Sequence, residues 1–414
     1  MANARKVAVK VLVKIEKEGA YSNLAVADAL KNGELNPQDK ALATALIYGV
    51  LDRKITLDYI LSQFLKNPVS KTEVFTLNVL RTALYQIKYM DKIPTSAAVN
   101  EAVKIMKSSK FSRNSGFVNG VLRSVLRTEV NLPQGDSATD LSIRFSCPLW
   151  VVESFLKDYG LDATKALLED SLKPAPTVLR INTAKANINE INKDYEVKNN
   201  SIELKRGMDI TENELYKKGL VFVQDYASQK AVETLNPKKG DRVLDLCAAP
   251  GGKSFTMACL MENEGEIIAC DLYRHRVELI EKSARRLGLD IIKTRVADAT
   301  VFDENLGQFD CVLCDVPCSG LGVIRRKPEI KYTKTEDLDG LEQTQKAILK
   351  TAVKYLKKGG RLLYSTCTLR RAENENLVIW LKKEYNELYH ISEHAFMPYK
   401  DGTDGFFCAL FEKR

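Results

Sequence analysis

Val243-Leu244-Asp245-Leu246-Cys247-Ala248-Ala249-Pro250-Gly251-Gly252-Lys253 is the stretch that decides the fold. It begins as a strand that is apolar at every position but Asp245, then turns through small residues, a proline and two glycines into a helical segment. A strand without polar and apolar alternation is buried on both faces, as in a parallel sheet covered by helices. Glycines directly after it mark a place where backbone comes close to a ligand.

The pattern repeats outward from this point. Apolar strands over residues 242–246, 266–270, 292–296, 311–314 and 361–365 alternate with helical segments, and 405–411 supplies a closing strand. This alternation predicts an α/β, doubly wound, Rossmann-like domain over 236–414, with ligands at the carboxyl ends of its strands. Upstream, from 4 to 127, apolar residues recur at three- and four-residue spacing, for example Val7, Val11 and Ile15, then Val118, Val121, Leu122 and Val125. An all-α bundle of about six helices over 1–132 is expected, broken at Asn36-Pro37, Asn67-Pro68 and Ile93-Pro94. A linker follows at Asn131-Leu132-Pro133-Gln134-Gly135-Asp136. Residues 140–235, with one helical pattern at 150–159 and strand-like runs at 177–181 and 220–223, predict a small α/β module that links the two and contacts RNA. The chain is therefore expected to be multidomain, in keeping with its 414 residues and 45% hydrophobic content.

Charge is unevenly placed. Residues 1–130 hold 20 lysines and arginines against 11 aspartates and glutamates, while the rest of the chain holds 42 against 43. A basic helical domain beside a near-neutral one fits a division between phosphate attraction and chemistry. Lys104, Lys107, Lys110, Arg113, Arg123 and Arg127 crowd into one short stretch, and the first four are expected to contact RNA phosphates. No apolar run approaches the roughly 18 residues of a membrane span, and no signal-peptide pattern appears, so a cytoplasmic protein without membrane contact is expected. Nine cysteines in such a chain read as reduced thiols rather than a disulfide framework.

The loop restricts the cofactor. Asp271 ends the second strand of the domain, where a carboxylate can accept both ribose hydroxyls, and Asp298 ends the third, where it could face an adenine amino group. A phosphate-binding P-loop would need glycine where Cys247 stands, and the G-x-G-x-x-G of dinucleotide loops is absent. S-adenosylmethionine, with a ribose and an adenine but no phosphate, fits better.

Two cysteines then suggest the chemistry. Cys318 follows a strand in Asp315-Val316-Pro317-Cys318, and Cys367 follows another in Ser365-Thr366-Cys367. Methylation of an amine or hydroxyl needs no thiol. Carbon 5 of a pyrimidine becomes nucleophilic only after a thiolate adds to carbon 6, and a second group must later remove the carbon 5 proton. Asp315 could hold the N3 edge of the ring. Arg325, Arg326 and Lys327 are expected to bind RNA and to supply the positive field that ionises the Cys318 thiol. Other patterns are weaker. Cys311, Cys314 and Cys318 resemble a metal motif, but residues three apart on a strand face opposite ways. His390-Ile391-Ser392-Glu393-His394 matches H-x-x-E-H without a third ligand, so no metal is expected. With His275 the one further histidine, a Ser-His-Asp hydrolase is poorly supported. Cys259, Cys270 and Cys408 read as core.

The residues 247–253, Asp315-Val316-Pro317-Cys318-Ser319-Gly320-Leu321-Gly322, Arg325-Arg326-Lys327-Pro328-Glu329-Ile330 and Tyr364-Ser365-Thr366-Cys367-Thr368 resemble the NOL1/NOP2/Sun family of RNA cytosine-C5 methyltransferases. The helical part, with Phe117-Val118-Asn119-Gly120-Val121-Leu122-Arg123, is similar to the antitermination factor NusB. The whole chain resembles the bacterial branch that methylates a cytosine of 16S ribosomal RNA. The resemblance implies that Cys367 is the nucleophile and Cys318 assists product release. It also implies that Cys247, Ala248, Ala249, Pro250, Gly251, Gly252, Lys253, Asp271, Asp298 and Asp315 contact S-adenosylmethionine. The partner implied is 16S rRNA, naked or in an early assembly intermediate, met by a monomeric enzyme. The other readings are the same chemistry on transfer RNA, another RNA or DNA, and a non-catalytic assembly factor. DNA enzymes of this type use the Pro-Cys cysteine alone, and an assembly factor would be expected to lack one cysteine or Asp315. Tyr332, where relatives often carry tryptophan, is one departure.

Overall fold

The computed structural model describes residues 3–18, 22–31, 35–191, 193–205, 208, 210–333 and 335–414. The chain forms two compact units, Met1–Lys173 with Ile324–Thr333, and Pro174–Val323 with Lys334–Arg414.

The first unit begins with the expected helices, Ala4–Glu18, Ser22–Lys31, Pro37–Ser62, Val74–Tyr89, Thr95–Lys107 and Ser115–Arg127. The Asn36-Pro37 break is a helix start: Asn36 accepts from the Asp39 amide at 2.8 Å, and Pro37 occupies the first turn, where its missing N–H costs nothing. The apolar stripes meet in one core that includes Val9, Leu12, Leu46, Leu80, Leu84 and Leu122. Arg81 is buried within it and stays charged because Asp58 receives two of its N–H groups at 2.7 Å and Glu16 a third at 2.8 Å.

Helices Ala138–Phe145 and Leu149–Ser171 also belong to this unit. The sequence reading assigned them to the small α/β module, but hydrogen bonds tie the first of them and its cap to the long helix Pro37–Ser62. Thr56 Oγ1 donates to the Ile143 carbonyl at 2.6 Å, and the Ile55 amide donates to Ser146 Oγ at 3.0 Å. The last member of the unit is Ile324–Thr333. Lys331 is fully buried, its Nζ 3.2 Å from the Asp52 carbonyl, and the Tyr332 hydroxyl donates to the Leu51 carbonyl at 2.6 Å.

In the second unit, β1 (Thr177–Ile181), β2 (Ser201–Leu204) and β3 (Val221–Val223) form an antiparallel sheet in the order β2-β1-β3. The larger sheet contains β4 (Arg242–Asp245), β5 (Glu266–Asp271), β6 (Ile292–Val296), β7 (Phe309–Asp315), β8 (Leu356–Thr366), β9 (Leu388–Phe396) and β10 (Phe406–Lys413). Its order is β6-β5-β4-β7-β8-β10-β9, with β10 antiparallel to both neighbours and the remaining pairs parallel. Both faces are covered. Val243, Cys311 and Leu363 pack with the helices Tyr226–Leu235 and Gly252–Leu260, whereas Leu244, Cys314 and Tyr364 pack with Leu341–Tyr355 and Glu375–Glu384. Sequential strands run outward from β4 to β6 and then return to β7 on the other side of β4. A crevice for a ligand therefore opens between the carboxyl ends of β4 and β7.

Candidate active site

The loop after β4 is shaped by glycine. Gly251 has φ +107°, which strains any side chain, and a Cβ there would lie 2.3 Å from the tip of the Phe255 ring, which would have to shift. The Ala248 amide donates to the Cys270 carbonyl at 2.8 Å, which holds the loop against the end of β5. There Asp271 is buried, accepting the Ala249 and Tyr273 amides at 3.3 Å each and lying 3.3 Å from Arg276 Nη1. Arg276 also donates to the Ala249 carbonyl at 3.0 Å, a link that no sequence motif announced. Asp245 is fully buried under the loop. Ser254 donates to its Oδ2 at 2.6 Å, its Oδ1 has no protein partner, and burial pushes its carboxyl up to about 7. Asp298 is exposed at the end of β6, where Thr300 donates to its Oδ1 through both amide and hydroxyl and holds its carboxyl below the usual value.

Across the crevice, Lys253 reaches Asp315 at the end of β7, its Nζ 2.7 Å from Oδ2, and Ser365 donates to Oδ1 at 2.8 Å. Burial works against the Lys253 charge, but Asp315 outweighs it and holds the ammonium above its ordinary pKa. Beyond Asp315 the two cysteines come together, with Cys318 Sγ and Cys367 Sγ 3.3 Å apart. Glycine again permits the approach. A Cβ on Gly322 would lie 1.9 Å from the Gly405 carbonyl, and the Gly322 amide donates to the Cys367 carbonyl at 3.0 Å. The hydrogen bond with Cys367 raises the Cys318 pKa well above the usual thiol value, with burial and the negative charge of Glu373 adding to it.

One expectation is corrected here. Arg325 does not stand open to RNA: its side chain is 6% exposed and lies 3.3 Å from Asp170 within the first unit. Arg326 is half-buried and Lys327 exposed in the same segment. Lys104, Lys107, Lys110 and Arg113 are all exposed. Cys311 and Cys314 face opposite sides of the sheet, and Cys259, Cys270 and Cys408 are buried. Among the described residues no group of three His, Cys, Asp or Glu side chains could hold a metal ion, and no helix is long and apolar enough to cross a membrane.

Residues 232–412 match the family described as 16S rRNA methyltransferase RsmB/F, 2–127 the NusB family, and 147–226 the RsmF/B-like ferredoxin-like domain. The probable ribosomal RNA small subunit methyltransferase B of Bacillus subtilis (strain 168) is 38% identical, over 100% of this chain and 99% of its own. The chain belongs to the RsmB/F family of ribosomal RNA methyltransferases. Its namesake in Synechocystis is 34% identical, over 91% of this chain and 88% of its own. Among solved structures, that of PH0851 has a TM-score of 0.84 at 25% identity, covering 100% and 99% of the two chains. A methyltransferase homolog from Pyrococcus horikoshii has a TM-score of 0.61 at 25% identity, covering 68% of this chain and 100% of its own. This RsmB/F member is thus an rRNA methyltransferase, and S-adenosylmethionine is its cofactor. The crevice suits that molecule: a buried carboxylate stands at the end of β5, and an unpartnered carboxylate oxygen lies under a loop without phosphate-binding features.

Proposed function

We propose that this enzyme methylates carbon 5 of a cytosine in 16S ribosomal RNA, with Cys367 as nucleophile, Cys318 as the group that assists product release and Asp315 as the residue that orients the base. The observation that carries this reading is the 3.3 Å approach of the two thiols next to Asp315 at the switch point of the sheet. Residues 247–253 with Asp271, Asp298 and Asp315 would hold S-adenosylmethionine, which supplies an electrophilic methyl group when bound.

The hydrogen bond with Cys367, burial and the charge of Glu373 all favour the protonated form of Cys318, and the two sulfurs share one hydrogen bond in which either can donate. As a thiolate, Cys367 forms a bond from its sulfur to carbon 6 and turns carbon 5 into a nucleophile. Asp315, fixed by Lys253 and Ser365, presents its carboxylate to the 4-amino group of the cytosine, which donates to it. A water molecule then takes the carbon 5 proton, the electrons of that C–H bond re-form the carbon 5–carbon 6 double bond, and the Cys367 sulfur leaves with the carbon–sulfur pair as a thiolate, a departure that Cys318 assists with its S–H. Bulk water must be excluded and the target base flipped out of its stack before any of this occurs.

The exposed Lys104, Lys107, Lys110 and Arg113, with Arg326 and Lys327, supply phosphate contacts, and the protein acts as a cytoplasmic monomer on naked 16S rRNA or an early assembly intermediate. The thiol variants test the reading. Cys367→Ala is expected to bind RNA and cofactor without turnover. Cys318→Ala is expected to accumulate a protein–RNA species that survives denaturing electrophoresis and is absent from the double variant. Trapping by Cys367→Ala instead would reverse the roles, and unchanged methylation in both would end the covalent reading.

A further inference from the structure

The neighbours of both cysteines converge on one short segment, Glu373-Asn374. Glu373 is fully buried. Its Oε2 accepts the amide of Ser319, directly after Cys318, at 2.9 Å. The same oxygen accepts Gln345 Nε2 at 3.1 Å, and that nitrogen also donates to the carbonyl of Pro317, directly before Cys318, at 2.9 Å. Its Oε1 accepts Arg370 Nη1 at 3.1 Å from the turn after Cys367. Asn374 completes the pattern on the Cys367 side: Thr366 Oγ1 donates to its Oδ1 at 2.6 Å, and its Nδ2 donates to the Thr368 carbonyl at 3.0 Å. A direct bond of 2.7 Å between Ser319 Oγ and Thr368 Oγ1 joins the two loops.

We propose that Glu373 is a positioning residue that clamps the loop of Cys318 to the turn of Cys367 and so sets the distance between the thiols. The inference rests on the two-thiol reading for its chemical purpose, although the clamp itself is a matter of geometry. Burying a carboxylate costs several kcal/mol before its partners compensate, and a well-packed apolar residue would hold the fold at lower cost. What an apolar residue could not do is accept hydrogen bonds from two loops at once. A one-residue shift in either loop would part the sulfurs, and reacting groups misplaced by about 1 Å can lose roughly 100-fold in rate.

The clamp can be read without the methylation reaction. Diamide takes two electrons and two protons from a pair of thiols, leaving a disulfide and the reduced hydrazine, and peptide mapping identifies the cysteines joined. In the full-length enzyme Cys318 and Cys367 are expected to pair readily, and Glu373→Gln is expected to slow that pairing about tenfold at equal thiolate fraction, since loss of the Glu373 charge by itself favours the Cys318 thiolate, and to lower kcat roughly 10- to 100-fold. KM for RNA and affinity for S-adenosylmethionine should stay near the parent values. Pairing and kcat both unchanged would overturn the proposal, and so would a joint fall of kcat, cofactor binding and RNA binding, which marks a merely structural residue. If Glu373→Gln does not fold, Gln345→Leu removes the Pro317 arm alone. A smaller slowing of disulfide formation then supports the clamp, and an unchanged rate overturns it. Should Cys367→Ala still methylate, the two-thiol reading fails, whereas the disulfide rate of Glu373→Gln still decides for or against the clamp.

Discussion

The basic face of the first unit and the crevice of the second use positive charge in opposite ways. On the helices Thr95–Lys107 and Ser115–Arg127 and the turn between them, Lys107, Lys110, Arg113, Arg123 and Arg127 are exposed, and among the described residues no carboxylate forms a salt bridge with them. In the second unit the cations around the crevice are each held by an acid: Lys253 by Asp315, Arg276 by Asp271 and Arg370 by Glu373. A charge meant to meet a long polyanion is most useful when water and counterions are all it has to give up. Beside reacting atoms, a charge is most useful when a partner fixes its position and no reorganisation is needed during the reaction.

That contrast can be broken by experiment. The largest effect is expected for Lys253→Met, which leaves the Asp315 carboxylate without its cation. Turnover should fall roughly 100- to 1000-fold while the affinity for RNA stays the same. Equal losses in kcat and RNA affinity would mean that Lys253 belongs to RNA binding rather than to the crevice. Next comes Asp271→Ala, which should weaken S-adenosylmethionine binding by about 1.5–3 kcal/mol, because charge-assisted hydrogen bonds to the ribose are lost. Calorimetric titration of the folded variant measures this, and unchanged affinity would remove Asp271 from the site.

A smaller effect should follow from replacing Lys107, Lys110 and Arg113 with glutamine together. Each lost phosphate contact lowers the slope of log affinity against log salt by about 0.7 on single-stranded RNA, with kcat at saturation unchanged. An unaltered slope would reduce this basic face to a solvated surface. Substitution is a cleaner probe than deletion of the helical domain, since Lys331 and Tyr332 from beyond residue 320 are bonded into that unit.

A separate effect concerns stability against pH. Burial raises the Asp245 carboxyl from 3.8 to about 7. Between those values the folded protein keeps a proton that the unfolded chain has lost, so stability falls as pH rises through that window, by at most about 1.4 kcal/mol per pH unit. Asp245→Asn should flatten this slope in thermal melts. A slope equal to that of the parent would assign the pH dependence to other groups.

Much of this molecule is legible in its sequence. Val243 and Leu244 pack on opposite faces of the sheet, as an unbroken apolar strand requires. The loop favours glycine at Gly251, where the backbone angle strains a side chain and the Phe255 ring would have to shift to admit one. Asp271, Asp298 and Asp315 stand at or just past the ends of their strands, and a parallel sheet brings those carboxyl ends to one edge. The helical breaks at prolines held for the same local reason. The strand β2 was not read, since four residues with one exposed glutamate carry too little pattern.

What the sequence by itself determined, then, is what arises from local periodicity: two kinds of domain, a ligand loop and two cysteines at strand ends. Tertiary structure alone decided which charges meet. Arg325 reads as a basic residue next to a catalytic motif, yet it is paired with Asp170, 155 residues earlier in the chain. Glu373 lies in an ordinary polar run, yet it joins loops that are 49 residues apart. The physical reason is that a residue's spacing fixes the face of an element on which it lies, whereas its hydrogen-bond partner depends on how distant elements pack, and no local pattern records that.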